Sequence, residues 1–341
     1  MSDEHAMLRD ALVGRLASHD QISAWEALGE GGVRGLCVPE ELGGLGLSAA
    51  SAAPVMEALG ELCIPTPFIE TSIIATRLLA SARCKEGDAV LRAIAMDGAR
   101  VAIAGLDPKL RGDVSAHCTG GDWTIDGTAR VVLDADEARS FIAIAPHDGV
   151  PVVLLLRGWA DCDRHSFPTI DGRSAADVTF RQASATLIAE DVAALLAVIT
   201  DEAIALLAVE AAALMRRLVR DTVSHAKQRE QFGQAIAHFQ VVQHRLVDMH
   251  IQARRAEAIA RRAMAALTAT EAERARVVSA AKVTIAQAGR YIAQQAVQLH
   301  GGMGMTMELI VGRCFKRLTV IEGELGSTDD HLHRYAATSA S

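Results

Sequence analysis

One apolar stripe constrains this chain more than any other feature. Phe239, Val242, Leu246, Met249, Ala253, Ala256 and Ala260 step along the sequence by three and four. That spacing returns side chains to one face of a 3.6-residue helix, so the stretch reads as a long helix with one side in a core. Arg254, Arg255, Arg261 and Arg262 fall mainly off the stripe and read as a solvated face. Thr270 and Glu273 have the spacing of a capping box for a second helix, which runs to about His300 and is ended by Gly301. From about residue 186 to 335 the pattern is helical throughout, and its many alanines allow the close crossings of a four-helix bundle.

The rest of the chain falls into two further blocks. Residues 1 to about 97 read as helices with tight turns. Val38-Pro39-Glu40-Glu41-Leu42-Gly43-Gly44 is a turn punctuated by Pro and Gly, and a helix is expected from about Ser48 to Leu62. Between about 98 and 185 the character changes. Val101–Gly105, Trp123–Ile125, Val131–Leu133, Phe141–Ala145 and Val152–Leu156 are short β-like runs, with Gly120-Gly121-Asp122 as a hairpin turn. A small β domain or barrel fits them. The expected fold class is mainly α with a small β domain, divided as 1–97, 98–185 and 186–341.

Composition narrows the function classes. With 341 residues the chain can bury a large core, and a hydrophobic share of 50% with 4% aromatics favours closely packed helices. A net charge of −8 argues against a nucleic-acid surface. The six cysteines are scattered, with no Cys-x-x-Cys pair, and read as reduced residues of a cytoplasmic protein. No signal peptide, membrane span or metal motif is evident. The most apolar helix, Ala203 to Met215, is short and carries Glu210. His331 and His333 read as part of a solvated tail rather than a ligand pair.

Two segments at the ends of helical patterns carry a chemical signal. Arg229-Glu-Gln-Phe-Gly-Gln-Ala-Ile-Ala-His-Phe-Gln240 offers a fixed guanidinium fork suited to a pyrophosphate. Gln298-Leu-His-Gly-Gly-Met-Gly304 places paired glycines where a backbone can approach a ligand closely. In order, and with these helices between them, the two segments resemble those of the acyl-CoA dehydrogenase family, flavoproteins that desaturate acyl-CoA thioesters. The Val38–Gly46 turn resembles the family's N-terminal domain, and the order of helices, β domain and bundle matches it end to end.

The resemblance implies FAD, an acyl-CoA substrate and an electron-transfer flavoprotein that takes the electrons onward. By it, Arg229 and Phe232 contact the pyrophosphate and adenosine half of FAD, Gln240 lies in the adenine region, and Gln298, Gly301 and Gly302 line the same dinucleotide across a subunit interface. For Arg229 the competing reading is a surface ion pair with Glu230 or Asp221. Phe232 and Phe239 have a competing reading as core residues. The family's flavin-ring segment, similar to Thr-Glu-Pro-x-Ala-Gly-Ser-Asp, is replaced here by Gly105-Leu106-Asp107-Pro108-Lys109-Leu110-Arg111-Gly112-Asp113. Its Trp-Ile-Thr-like strand is replaced by Gly127–Leu133.

The family's catalytic base is displaced as well. Its usual glutamate falls on Leu325, with Gly326-Ser327 matching Gly-Thr, while Glu324 is adjacent and Glu322-Gly323 imitates the pair. The alternative family position falls on Ala203, beside Glu202. Glu210, one heptad on among Leu206, Leu207, Val209 and Leu214, is a candidate on physical grounds, because an unpartnered carboxylate there would be costly and its pKa would rise. Pairing with an arginine such as Arg216 is the competing reading. The candidate bases are therefore Glu210, Glu202 and Glu324.

Short chains with these losses resemble the reduced subunits of heteromeric acyl-CoA dehydrogenases from bacterial steroid side-chain breakdown. The resemblance implies an α2β2 assembly with a second acyl-CoA dehydrogenase subunit, with a homo-oligomer as the alternative, and a bulky, steroid-derived thioester entering β-oxidation. A non-catalytic subunit that completes a partner's FAD site, and an oxidase, are the alternatives.

Overall fold

A computed structural model describes residues 3–107, 109–156, 158–305 and 309–339. The chain begins with helices α1 (Asp3–Leu16), α2 (Gln21–Gly29), α3 (Ala53–Leu62), α4 (Thr76–Ala82) and α5 (Lys85–Arg92). Strands β1 (Val101–Ala104), β2 (Ser115–Thr119), β3 (Asp122–Leu133), β4 (Ser140–His147), β5 (Val150–Leu156), β6 (Cys162–Pro168) and β7 (Ser174–Ala189) follow. Helix α6 (Ala193–Gln228), a hairpin of β8 (Glu230–Gln231) and β9 (Gln234–Ala235), and helices α7 (Gln240–Ala266), α8 (Glu271–His300), α9 (Ile310–Gly323) and α10 (Thr328–Ser339) complete it. This is the expected class: an N-terminal helical region, a central sheet and C-terminal helices.

The chain divides into two compact units. One takes in residues up to Ser18, Ala52–Pro65 and the chain from Ile204 onward; the other takes in His19–Ser51 and Thr66–Ala203.

The second unit is built on a seven-stranded sheet in the order β1-β4-β5-β7-β3-β2, with β6 also paired to β7. Gly120 and Gly121, at φ of 63° and 95°, make the predicted hairpin turn between β2 and β3. The two short runs around Trp123 and Val131 belong to one strand, whose register shifts between Ala129 and Val132, and Val131 there adopts φ 50°. The runs read from the sequence do not include β2, β6 or β7; the longest of these, β7, pairs with β3, β5 and β6. Its alanines and polar residues carry no β-branched run, yet Ala176, Val178, Phe180, Ala183 and Ala185 are buried at alternating or nearly alternating positions. Phe180 meets Phe141 edge-on at 5.5 Å inside the sheet core. In the same unit the Val38–Gly46 turn is fixed by its own backbone: Gly46 N–H donates to Val38 O at 2.8 Å. A side chain at Gly44 would meet that oxygen at 2.1 Å, so the glycine is a packing requirement.

The first unit is a helical bundle. The stripe on α7 is buried from Met249 through Ala253, Ala256 and Ala260, and half-buried from Phe239 to Leu246. The arginines off the stripe are exposed, and Arg254 pairs with Glu257. Ile204 and Ala205 of α6, Ala263 of α7, and Val278 and Ala281 of α8 form one apolar cluster. Thr270 caps α8 by accepting from Glu273 N–H, and Gly301, at φ 65°, ends it. The helix expected from Ser48 starts later: Ala49–Ala52 is a 3-10 turn, and α3 begins at Ala53 with Pro54 in its first turn. One of the two C-terminal histidines differs from expectation: His333 is exposed, as a solvated tail requires, but His331 is not. His331 on α10 is buried, with Nε2 3.0 Å from Leu325 O and Nδ1 3.3 Å from Ser279 Oγ.

Candidate functional site

Both glycine-bearing segments sit at helix ends of the bundle. Helix α6 stops at Gln228, and Arg229 N–H still closes its last turn on His225 O at 2.8 Å. Ile236 N–H then donates to Arg229 O, also at 2.8 Å, closing the short β8–β9 hairpin. Phe232 and Gly233 form its tip with φ of 54° and 80°. A phenylalanine in this left-handed region carries backbone strain. Its ring is 92% exposed and touches Phe239 edge-on at 6.1 Å, so the core reading fails for Phe232. Phe239 itself is half-buried.

The second segment closes on the first through two histidine rings. His300, the last residue of α8, stacks on His225 with centroids 4.2 Å apart. Gly301 and Gly302 follow directly, and a Cβ built on either, or on Gly233, meets nothing within 4 Å. Arg229, Phe232, Gln240, Gln298, Gly301 and Gly302 are all exposed. The Arg229 side chain makes no hydrogen bond or ion pair among the described residues. The alternative pairing with Asp221 is absent because Asp221 is held by Arg217 at 2.5 Å and Arg220 at 3.5 Å. An unengaged guanidinium, open glycine backbone and an uncovered aromatic ring at one end of the bundle suit a flexible anionic ligand with a planar base.

The candidate carboxylates are placed differently, each in contact with an arginine. Glu202, in the unit that holds the sheet, accepts from Arg77 Nε at 3.1 Å and Nη2 at 3.3 Å. Glu210 is buried in the bundle, where Arg317 donates through Nε at 2.6 Å and Nη2 at 2.9 Å. Its partner is not the nearby Arg216, which reaches Glu57, Glu61 and Glu257 instead. Glu324 takes a third contact from Arg317, through Nη1 at 3.3 Å. Glu322 is bonded to Arg290. Glu202 and Glu210 are thus each engaged on both oxygens by a guanidinium, which turns their acceptor positions toward an arginine.

The loop that the resemblance aligns with the usual base position, Ile321 to Leu325, is tightly held. Lys282, fully buried, donates from Nζ to the carbonyls of Ile321, Glu322 and Glu324 at 2.6, 3.2 and 2.5 Å. Leu325 has φ 56°, and its side chain packs on the Ile204–Ala205–Ala263–Val278–Ala281 cluster. The position is therefore aliphatic in surroundings as well as in identity. A cleft of about 770 Å³ opens beside the loop, with Arg290, Phe315, Leu318 and Ser327 among its lining. Sequence reading missed Arg317, Lys282 and His225, since nothing in their local spacing marks them.

In the sheet unit, the segment that stands in place of the flavin-ring motif turns its polar groups on itself. Asp107 Oδ1 accepts from Lys109 N–H at 2.9 Å, and Asp113 Oδ1 from Thr128 N–H at 2.6 Å. Pro108 lies outside the described residues. Among the described residues no group of three His, Cys, Asp or Glu side chains is placed to hold a metal, and no helix is long and apolar enough to cross a membrane. All six cysteines are free, with Cys37, Cys63 and Cys314 buried and Cys118 exposed.

Comparison with known proteins matches residues 2–95 to the family model described as acyl-CoA dehydrogenase, N-terminal domain. Residues 193–338 match that described as acyl-CoA dehydrogenase, C-terminal domain. The acyl-CoA dehydrogenase IpdE2 of Mycolicibacterium smegmatis is 28% identical, over 99% of this chain and 99% of its own. Among solved structures, the ChsE4-ChsE5 complex from Mycobacterium tuberculosis superposes with a TM-score of 0.85 at 22% identity, covering 100% of this chain and 98% of that one. A variant of the Tcur3481-Tcur3483 steroid ACAD does so with a TM-score of 0.85 at 22% identity, covering 98% and 96%. At these identities the two structures show the likeness of fold.

Proposed function

This chain belongs to the acyl-CoA dehydrogenase family, and we propose that it is one subunit of a heteromeric, FAD-dependent acyl-CoA dehydrogenase whose catalytic base comes from the partner subunit. The reaction is the α,β-desaturation of a bulky, steroid-derived acyl-CoA thioester in the cytoplasm, with an electron-transfer flavoprotein as the onward acceptor. The reading divides the chain into domains at 1–97, 98–185 and 186–341.

The observation that carries it is the state of the carboxylates. Glu202, Glu210 and Glu324 all contact arginines, and Leu325 occupies the usual base position against an apolar cluster. The heteromeric and steroid parts draw support from two fold neighbours, the ChsE4-ChsE5 complex and the Tcur3481-Tcur3483 steroid ACAD.

FAD, when bound, supplies the two-electron acceptor. Arg229 neutralises pyrophosphate charge, Gly301 and Gly302 let the backbone come close, and the Gln240 and Gln298 amides offer donors and acceptors. Phe232 gives a face for a planar base to lie on. Leu325 and the cluster beneath it keep water away, which strengthens the partner's electrostatics on the thioester.

The test is expression of the chain alone and together with a second acyl-CoA dehydrogenase subunit, followed by the absorbance spectrum and turnover of each preparation. Flavin and activity are expected only in the two-component enzyme. Separate Glu202→Gln, Glu210→Gln and Glu324→Gln variants should keep proton abstraction in that enzyme. A yellow, active homotetramer of this chain alone overturns the proposal.

A further inference from the structure

We propose that His225 and His300 form a positioning pair that aligns the two halves of the dinucleotide cradle, setting the Arg229 hairpin against the Gly301–Gly302 turn. The inference rests on the reading above, that these segments hold FAD, and it assigns a role to two residues that sit outside the two segments' ligand contacts.

The argument is geometric. His225 lies on the last turn of α6, and its carbonyl accepts from Arg229 N–H at 2.8 Å, so any turn of that helix end moves the arginine. His300 is followed immediately by Gly301. Its Nδ1 lies 2.8 Å from Ala296 O, to which it donates, and this fixes the ring on its own helix. The two rings then stack at 4.2 Å with an interplanar angle of 24°. A stacked pair resists both sliding and rotation, because displacement loses face-to-face contact. Without it, two exposed helix ends would place the guanidinium and the glycines independently, and a ligand that needs both would bear the cost of ordering them. Burial, then the charges of His300 and Arg229, hold the His225 ring below the ordinary imidazole value. The shift favours the neutral form of the His225 ring, which stacks without a charge of its own.

The experiment measures FAD affinity of the assembled enzyme by flavin fluorescence, beside its melting temperature. His225→Ala and His300→Ala should each weaken FAD binding by about tenfold, the upper end of what a ring pair contributes. The double variant should be little worse than either single one, and His225→Phe should restore binding to within about twofold, since a second flat ring can stack. Unchanged affinity in the single variants, additive losses, or a lowered melting temperature with unchanged affinity overturns the inference. In those cases Arg229→Ala would still lose FAD and the proposed function would stand. If instead the wild-type assembly takes up no FAD, or Arg229→Ala binds it as well as wild type, the proposed function falls and the pair's role with it.

Discussion

Arg317 reaches Glu210 from 107 positions away, binding both carboxylate oxygens inside the helical bundle with each side chain almost wholly buried. Removing one member of such a pair leaves the other charged and dry, which costs about 3–5 kcal/mol. Arg317→Met should therefore lower stability strongly, and it also strips Glu324 of a contact. The double variant Glu210→Leu/Arg317→Met should lose much less than the single one. Urea unfolding of the wild type and the two variants checks the pattern, and a harmless Arg317→Met would remove the pair from any structural account.

Helix α3 crosses α6 at a glycine. A Cβ on Gly60 would lie 2.4 Å from Glu210 O and 2.9 Å from the Ala213 methyl. Alanine gains about 1 kcal/mol over glycine in a helix interior. Overpacking against backbone costs about 1–3 kcal/mol, and backbone cannot swing aside. Gly60→Ala should thus be destabilising in spite of its better helix propensity. A melting temperature equal to or above wild type would contradict it.

Acid should weaken the contact between α1 and α3 first. Burial pushes the Glu57 carboxyl upward, but His5, Arg216 and Arg9 outweigh that and hold it below the ordinary carboxylate value. Their nitrogens lie 2.9, 3.0 and 3.4 Å from its oxygens. A lowered folded-state pKa adds stability above the unfolded value, about 4.3. That stability is lost as pH falls through the lower folded value. Stability of the wild type should fall more steeply than that of Glu57→Gln between about pH 5 and pH 3. Parallel curves from denaturant titrations across that range would refute the assignment.

Gly302 separates folding from binding. Its surroundings are open within 4 Å and its φ is not in the left-handed region. Gly302→Val should change stability by no more than about 0.5 kcal/mol, as for an unconstrained surface site. It should nonetheless weaken FAD binding markedly, since the new branched side chain fills space the ligand needs. Calorimetric melting and flavin titration read the two quantities separately. Equal loss in both would mean the glycine serves the fold.

Much of the candidate site was legible because its signals are local. Arg229, Phe232, Gly301 and Gly302 announce themselves through type and spacing at helix ends. Phe232 illustrates the limit: an aromatic residue near an apolar stripe reads equally as core, and only the backbone, with φ 54° and an almost bare ring, separates the readings. Glu210 was legible as a carboxylate that needs a partner, but the identity of that partner was not. Arg216, close by on the same helix, was the local choice, and the bundle supplied Arg317 from α9.

The sequence by itself determined what depends on neighbours along the chain: the period of α7, the Thr270 cap, the Gly120-Gly121 hairpin and the glycine stop after α8. These follow from φ, ψ and hydrogen bonds within a few residues. Tertiary structure alone decided β7, whose alanine-rich sequence becomes a strand because three other strands pair with it. It also decided the pairing of His225 with His300 and of Glu210 with Arg317. Such contacts join residues that only packing brings together, and burial energy, which is indifferent to distance along the chain, selects them.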